Sequence, residues 1–192
     1  MNAIARTATL LVDPSAGWTR VEKEPGDAIF LLSGYVAVLA LIPALAGFIG
    51  ASLIGVMVPG GDVVREPIFD GLFSAVLGYA ATFVQVLLVA LLIDVLAPRF
   101  GGQRSFANAL NLAAYSFTPV WLAGIFLLLP GLRFLGFTAL YGVYLLTKGL
   151  PVVMKSPAEN AKRYAAAVAV FAVALMILTA LAQSALFSHP RA

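Results

Sequence analysis

Read for where charge is missing, the chain falls into five apolar runs separated by short charged joints. Residues 28–61, 71–93, 105–132, 134–147 and 164–190 contain no Asp, Glu, Lys or Arg. About 20 apolar residues cross the roughly 30 Å hydrocarbon layer of a bilayer, and a buried helix of a soluble domain rarely needs such length. The runs predict five membrane spans, from about Ala28 to Val58, Gly71 to Leu96, Ser105 to Leu129, Leu132 to Leu150 and Tyr164 to Phe187. The fourth reaches full length only if Arg133 and Lys148 sit at its ends and extend their charges to the headgroups.

Punctuation residues agree with these limits. Pro25-Gly26 precedes the first span and Pro59-Gly60-Gly61 stops it. That span exceeds what the bilayer requires, so it must tilt or bend, and Pro43, which donates no amide hydrogen bond, is the natural bend. Gly47, Ala51 and Gly55 recur every four residues and form a candidate helix-packing stripe. Pro98 ends the second span, Ser105 is a candidate N-cap for the third, and Pro119 is a second candidate bend. Pro130-Gly131 predicts a tight hairpin between spans three and four, and Pro151 bounds the fourth. Residues 1–27 form an N-terminal tail in which Asp13-Pro14 starts one short helix, with Thr19 and Glu22 a possible second capping box. Trp18 and Val21 share a face, so this helix is expected to lie on the headgroups with Trp18 at the interface. Residues 188–192 form a C-terminal tail. The predicted fold is an all-α polytopic membrane protein, a five-transmembrane-helix bundle with a short N-terminal interfacial helix.

Composition narrows the function. Hydrophobic residues make up 61% and charged residues 11%, against about a quarter charged in a soluble domain, and the mean hydropathy is +0.98. A soluble enzyme, a disordered chain and a coiled coil are excluded. The chain has no Cys and a single His, His189, so thiol chemistry, Cys-ligated metals and a His-based site inside the bundle are not expected. No P-loop and no H-E-x-x-H is present, and Asp94 is the sole acid within a span, so no carboxylate dyad can form. Neither an enzyme nor a cofactor is expected. The apolar patch Ala8–Val12 is too short for a cleavable signal. The net charge of +3 reports loops rather than nucleic-acid binding. Arg6, Arg20, Lys23, Arg99, Arg104, Lys148, Lys155, Lys162 and Arg163 fall on one side of a five-span arrangement, and only Arg65, Arg133 and Arg191 on the other. That split predicts a cytoplasmic N-terminus and an external C-terminus.

Polar residues inside a bilayer are costly and need a partner or a function. Asn108, Asn111, Tyr115 and Thr118 share one helix face, as do Tyr141, Tyr144 and Lys148. With Asp94 they form a candidate polar cluster in the cytoplasmic half, Asp94 being paired with Lys148 or Arg99. Such a cluster is either interhelical glue or a groove for a headgroup or solute. Gln85, in mid-span, is expected to make a packing hydrogen bond.

Three stretches carry a resemblance: Asp13-Pro14 through Trp18 with Glu24-Pro25; Leu96 to Phe126, LAPRFGGQRSFANALNLAAYSFTPVWLAGIF; and Leu140 to Pro157, LYGVYLLTKGLPVVMKSP. They resemble the bacterial branch of the Yip family of Ypt/Rab-interacting membrane proteins, with Gly102, Tyr115, Thr118, Pro119, Tyr141, Tyr144, Gly149, Leu150 and Pro151 as the family-like anchors. The resemblance implies five spans and a cytoplasmic N-terminus. Eukaryotic members act in ER–Golgi traffic and bind prenylated Rab GTPases. This chain has a cytoplasmic tail of only about 27 residues, without their larger N-terminal region, so a Rab GTPase is not expected as partner. The expected protein is a non-enzymatic, multi-pass protein of a bacterial inner membrane. It would organise lipids, other membrane proteins or copies of itself. The alternative is a small transporter, channel or lipid-handling protein working through the polar cluster.

Overall fold

A computed structural model describes residues 3–23, 27–57 and 61–187. The chain is an all-α polytopic bundle in which five helices are long and apolar enough to cross a membrane, covering 28–54, 68–100, 106–128, 134–153 and 158–185. These follow the five predicted runs. The expected Pro25-Gly26 start, the Pro59-Gly60 stop and the tail 188–192 lie outside the described residues.

Two short helices precede the bundle, α1 (Ala3–Val12) and α2 (Pro14–Lys23). Asp13 caps α2 as expected, its Oδ1 accepting the Ala16 amide at 3.0 Å. Thr19 makes no capping box, because it lies inside α2 and its Oγ1 donates to the Ser15 carbonyl at 2.9 Å. The single short helix is also corrected, since two form. The segment is a helical hairpin packed on the bundle, and Trp18 is fully buried against protein instead of facing the headgroups. An indole with a carbonyl to bond and an apolar bed to fill is better placed there than at the surface.

The first span, α3 (Ala28–Ile54), starts under Asp27, whose carboxylate accepts the Ile29 and Phe30 amides at 2.9 and 3.3 Å. Residues 31–36 and 49–54 are wound as π-helix. The span ends at Ile54 rather than Val58, because Gly55 takes a φ of +89°, a left-handed conformation that leaves the helix. A small antiparallel hairpin, β1 (Val56–Met57) on β2 (Val63–Val64), follows. Arg65 Nε and the Glu66 amide then satisfy the Leu53 and Ala51 carbonyls, each at 3.1 Å. Those carbonyls would otherwise be orphaned at the helix end.

The second span is α4 (Ile68–Leu96), continued by a 3₁₀ turn, Ala97–Phe100. The third is α5 (Phe106–Ala123), capped by Ser105 Oγ, which accepts the Asn108 amide at 3.4 Å. Residues 109–119 of α5 are buried without a break, so this helix is the core around which the others stand. The tight turn expected at Pro130-Gly131 is present: two 3₁₀ segments, Gly124–Leu128 and Pro130–Leu140, meet at an extended Leu129, and the second packs back on α5. They lead into α6 (Tyr141–Val153) and, after a short loop, α7 (Ala158–Phe187). Gln85 Nε2 donates to Thr179 Oγ1 at 2.8 Å, joining α4 to α7 as the sequence suggested.

Candidate functional site

The loops that close the end of the bundle where α2 terminates are knitted together. The Gln103 amide donates to the Met154 carbonyl at 2.8 Å, while Ser156 Oγ and Asn160 Nδ2 converge on the Phe100 carbonyl at 2.9 and 3.3 Å. The Phe100 ring stacks on Tyr164 with centroids 4.6 Å apart. Gly101, at φ +73°, ends the 3₁₀ turn, and a Cβ on Gly102 would stand 2.8 Å from the Met154 carbonyl oxygen. Both glycines are required by the close passage of one loop over the other.

Asp94 sits under this cap, 6% exposed. Its partner is neither Lys148 nor Arg99 but Arg104, whose Nη2 and Nε reach Oδ2 at 2.7 and 3.1 Å. The loop folds back over the end of α4 and brings Arg104 to the carboxylate. Oδ1 is buried with no hydrogen-bond partner among the described residues.

The other polar candidates separate by contact. Asn108 Nδ2 donates to the Val153 carbonyl at 3.2 Å and ties α5 to α6, whereas Asn111 Nδ2 turns back to the Ala107 carbonyl of its own helix at 3.0 Å. Thr118 Oγ1 lies 2.5 Å from Tyr35 Oη, which accepts from Thr7 Oγ1 at 3.2 Å, so a hydroxyl chain links α5, α3 and α1. Tyr115 is buried between Tyr35 (centroids 4.7 Å) and Trp18 (6.3 Å, edge-on). Tyr141 Oη donates to the Leu11 carbonyl at 2.9 Å. Tyr144 is 46% exposed, and the Lys148 ammonium lies 5.7 Å from its ring centroid. Asp94, the Tyr115–Thr118 pair and the Tyr144–Lys148 pair are thus three separate environments.

Sequence reasoning missed what the N-terminal hairpin does. Trp18 Nε1 donates to the Leu145 carbonyl at 3.0 Å, Glu22 pairs with Lys155, and Leu10 packs on Gly17. A Cβ on Gly149 would stand 2.7 Å from Trp18 Cε2, so this glycine is the seat of the indole. The signal was present as Gly149 on a helix facing an aromatic segment, but nothing local says which aromatic will arrive. Lys155 is the one described non-glycine residue with positive φ, +57°.

The small-residue stripe is also redistributed. Gly55 lies beyond the helix, and a Cβ on Gly47 would make only an ordinary contact, with Leu127 Cδ1 at 3.8 Å. Ala51 contributes its carbonyl to Glu66. The close approaches in this part of the bundle belong to Gly50, against the Leu127 carbonyl, Gly71, against Ser52 Oγ, and Gly124, where a Cβ would lie 2.6 Å from Pro43 Cβ. Pro43 and Pro119 both sit inside continuous helix, Pro43 against that glycine and Pro119 within the buried core.

Two clefts open between the spans. One, about 260 Å³, lies between α3, α4 and the end of α7 and is bordered by Gly47, Ser74, Tyr79 and Gln183. The other, about 350 Å³, is wholly apolar and lies between α4, α5, α6 and α7 at Val120, Phe137, Gly142 and Val173. Neither includes Tyr115, Tyr144 or Lys148.

No solved structure matches the chain. The inner membrane protein YohC of Escherichia coli strain K12 is 30% identical over 152 residues, 77% of this chain and 78% of that one, and YohC of strain O6:H1 matches equally. The family model of the Yip1 domain matches residues 8–181, which takes in the docked hairpin, the loop cap and all five spans, and the chain belongs to the Yip family.

Proposed function

We propose that the protein is a non-enzymatic organiser of a bacterial inner membrane, with its N-terminus in the cytoplasm and its C-terminus outside, acting through contacts with lipids and other membrane proteins or copies of itself. One observation carries this reading. The polar side chains at the cytoplasm-assigned end are spent on joining elements, Asn108 to α6, Thr118 to Tyr35, Tyr141 to the hairpin and Asp94 to Arg104. Arg99, Lys162 and Arg163 remain exposed around the cap and suit anionic headgroups or an acidic partner surface. The inner-membrane relative YohC supports the location. The test is crosslinking in native membranes, with the size of the purified protein measured in parallel. Specific partners or a defined oligomer are expected; a monomer that captures nothing overturns the reading. Reporter fusions at the two termini should report opposite compartments.

A second reading, lipid handling, is favoured by the wholly apolar cleft rather than by the polar residues. Filling it from a lining position with open space around it, Gly136→Leu, would then reduce lipid retained through purification, and unchanged retention would remove that reading.

A further inference from the structure

The N-terminal hairpin makes one end of the molecule wider than the other. α2 runs parallel to α6: the Leu11 carbonyl is held by Tyr141, Trp18 lies on Leu145 and Gly149, and Glu22 pairs with Lys155. α1 folds back against α2, Leu10 on Gly17. Lys148 fixes the level of this hairpin in the bilayer. It is exposed on a spanning helix, so its ammonium must reach the headgroups. Trp18 touches the residues on either side of Lys148 along α6. The tip is tied at Tyr141, seven residues and about 10 Å further into the layer at 1.5 Å per residue.

That depth is comparable to the 5–10 Å reached by interfacial helices. The side chains agree with it. Val12, at the tip, is apolar and 86% exposed, whereas Arg20, Glu22 and Lys23 crowd the opposite end, toward the headgroups. Asp13, exposed at the tip and capping α2, keeps the tip in the interfacial zone rather than at the midplane. Among the described residues, the leaflet on the N-terminal side therefore holds seven helices where the other holds five. Each helix is about 10 Å across, so the surplus is on the order of 150 Å² in one leaflet.

We infer that the protein is a wedge and recognises a lipid surface by its shape, accumulating where the leaflet on its N-terminal side is convex. The inference deepens the membrane-organising reading on which it rests, but it holds whichever compartment that leaflet faces.

The test uses fluorescent full-length protein in giant vesicles of phosphatidylethanolamine and phosphatidylglycerol, sorted by whether an N-terminal tag is accessible from outside. A membrane tube is pulled outward and the protein density in the tube is divided by that in the vesicle wall, relative to a lipid dye. With the tag outside, the ratio should exceed one and rise as the tube narrows; with the tag inside, it should fall below one. A variant lacking residues 1–23 should return the ratio to one, provided its melting profile shows a folded bundle, and Trp18→Ala should lower it. A wild-type ratio of one at every radius, the same ratio in both orientations, or full enrichment in a folded deletion variant would each overturn the wedge. Partner capture is read separately, so a wedge without partners would sink only the partner half of the earlier reading.

Discussion

Replacing Trp18 by Ala should detach the N-terminal hairpin while leaving the five spans folded. The indole is fully buried, edge-on to Tyr115, seated on Gly149 and bonded to the Leu145 carbonyl. Removing a buried tryptophan costs about 3–5 kcal/mol, of which the lost hydrogen bond accounts for about 1 kcal/mol. At 1.4 kcal/mol per factor of ten, hairpin docking weakens by about a hundredfold to a few thousandfold. The loss falls on docking because α2 packs chiefly on α6, whereas α5 is enclosed by the other spans. Amide hydrogen exchange in micelles reads this directly. In Trp18→Ala, residues 7–23 should exchange faster by that factor, with α4 and α7 unchanged and tryptic cleavage at Arg20 and Lys23 accelerated. Trp18→Phe keeps most of the ring and loses the N–H, so its effect should stay within about tenfold. Wild-type exchange across the hairpin in Trp18→Ala, or loss of protection in all five spans together, would refute the reasoning.

Three further outcomes follow from the contacts. Arg104→Ala strands a buried carboxylate and, with the arginine itself largely exposed, should cost about 1–3 kcal/mol, whereas the double change Asp94→Asn with Arg104→Gln should cost less; thermal melts in the reverse order would show that the pair is not coupled as drawn. Gly142→Ala drives a methyl into the Ser116 carbonyl and should lower stability by about 1–3 kcal/mol, while Gly136→Ala, with open space around it, should change nothing measurable in the same melt. Thr118→Val breaks the Tyr35 link and should cost about 0.6 kcal/mol, at most about 1.7, by reversible unfolding in mixed micelles.

The spans were legible because a bilayer imposes a length and an exclusion of charge that a sequence displays directly. The caps at Asp13 and Ser105 were legible because they depend on neighbours two or three residues away. What failed needed long-range information. Asp94 finds Arg104 through the path of a ten-residue return, not by helical spacing to Lys148. Trp18 and Leu145 are 127 positions apart, so an amphipathic segment with a tryptophan could be read as surface-lying when the bundle offers it a socket. The stripe at Gly47 and Gly55 matched a pattern, but Gly55 was needed to end the helix, and an i, i+4 spacing does not say which glycine meets another chain.

The positions that carry the family likeness can be sorted by what the structure asks of them. Gly102 admits the neighbouring loop, Gly149 seats the indole, Tyr115 and Thr118 form the inner ring and hydroxyl chain, and Tyr141 holds the hairpin tip. Each is accounted for by assembling the hairpin and the loop cap onto the bundle. Tyr144 is different. It is 46% exposed, its ring lies beside Tyr141 at 5.3 Å, and the Lys148 ammonium lies 5.7 Å from its centroid. No packing demand requires an aromatic there. An amphipathic ring beside an ammonium is the arrangement that holds a helix at headgroup level. The same pair sets the depth of the hairpin, since Trp18 is docked against the turn that carries Lys148. The buried members of the set build the wide end of the molecule, and the exposed pair holds that end at the surface of the bilayer.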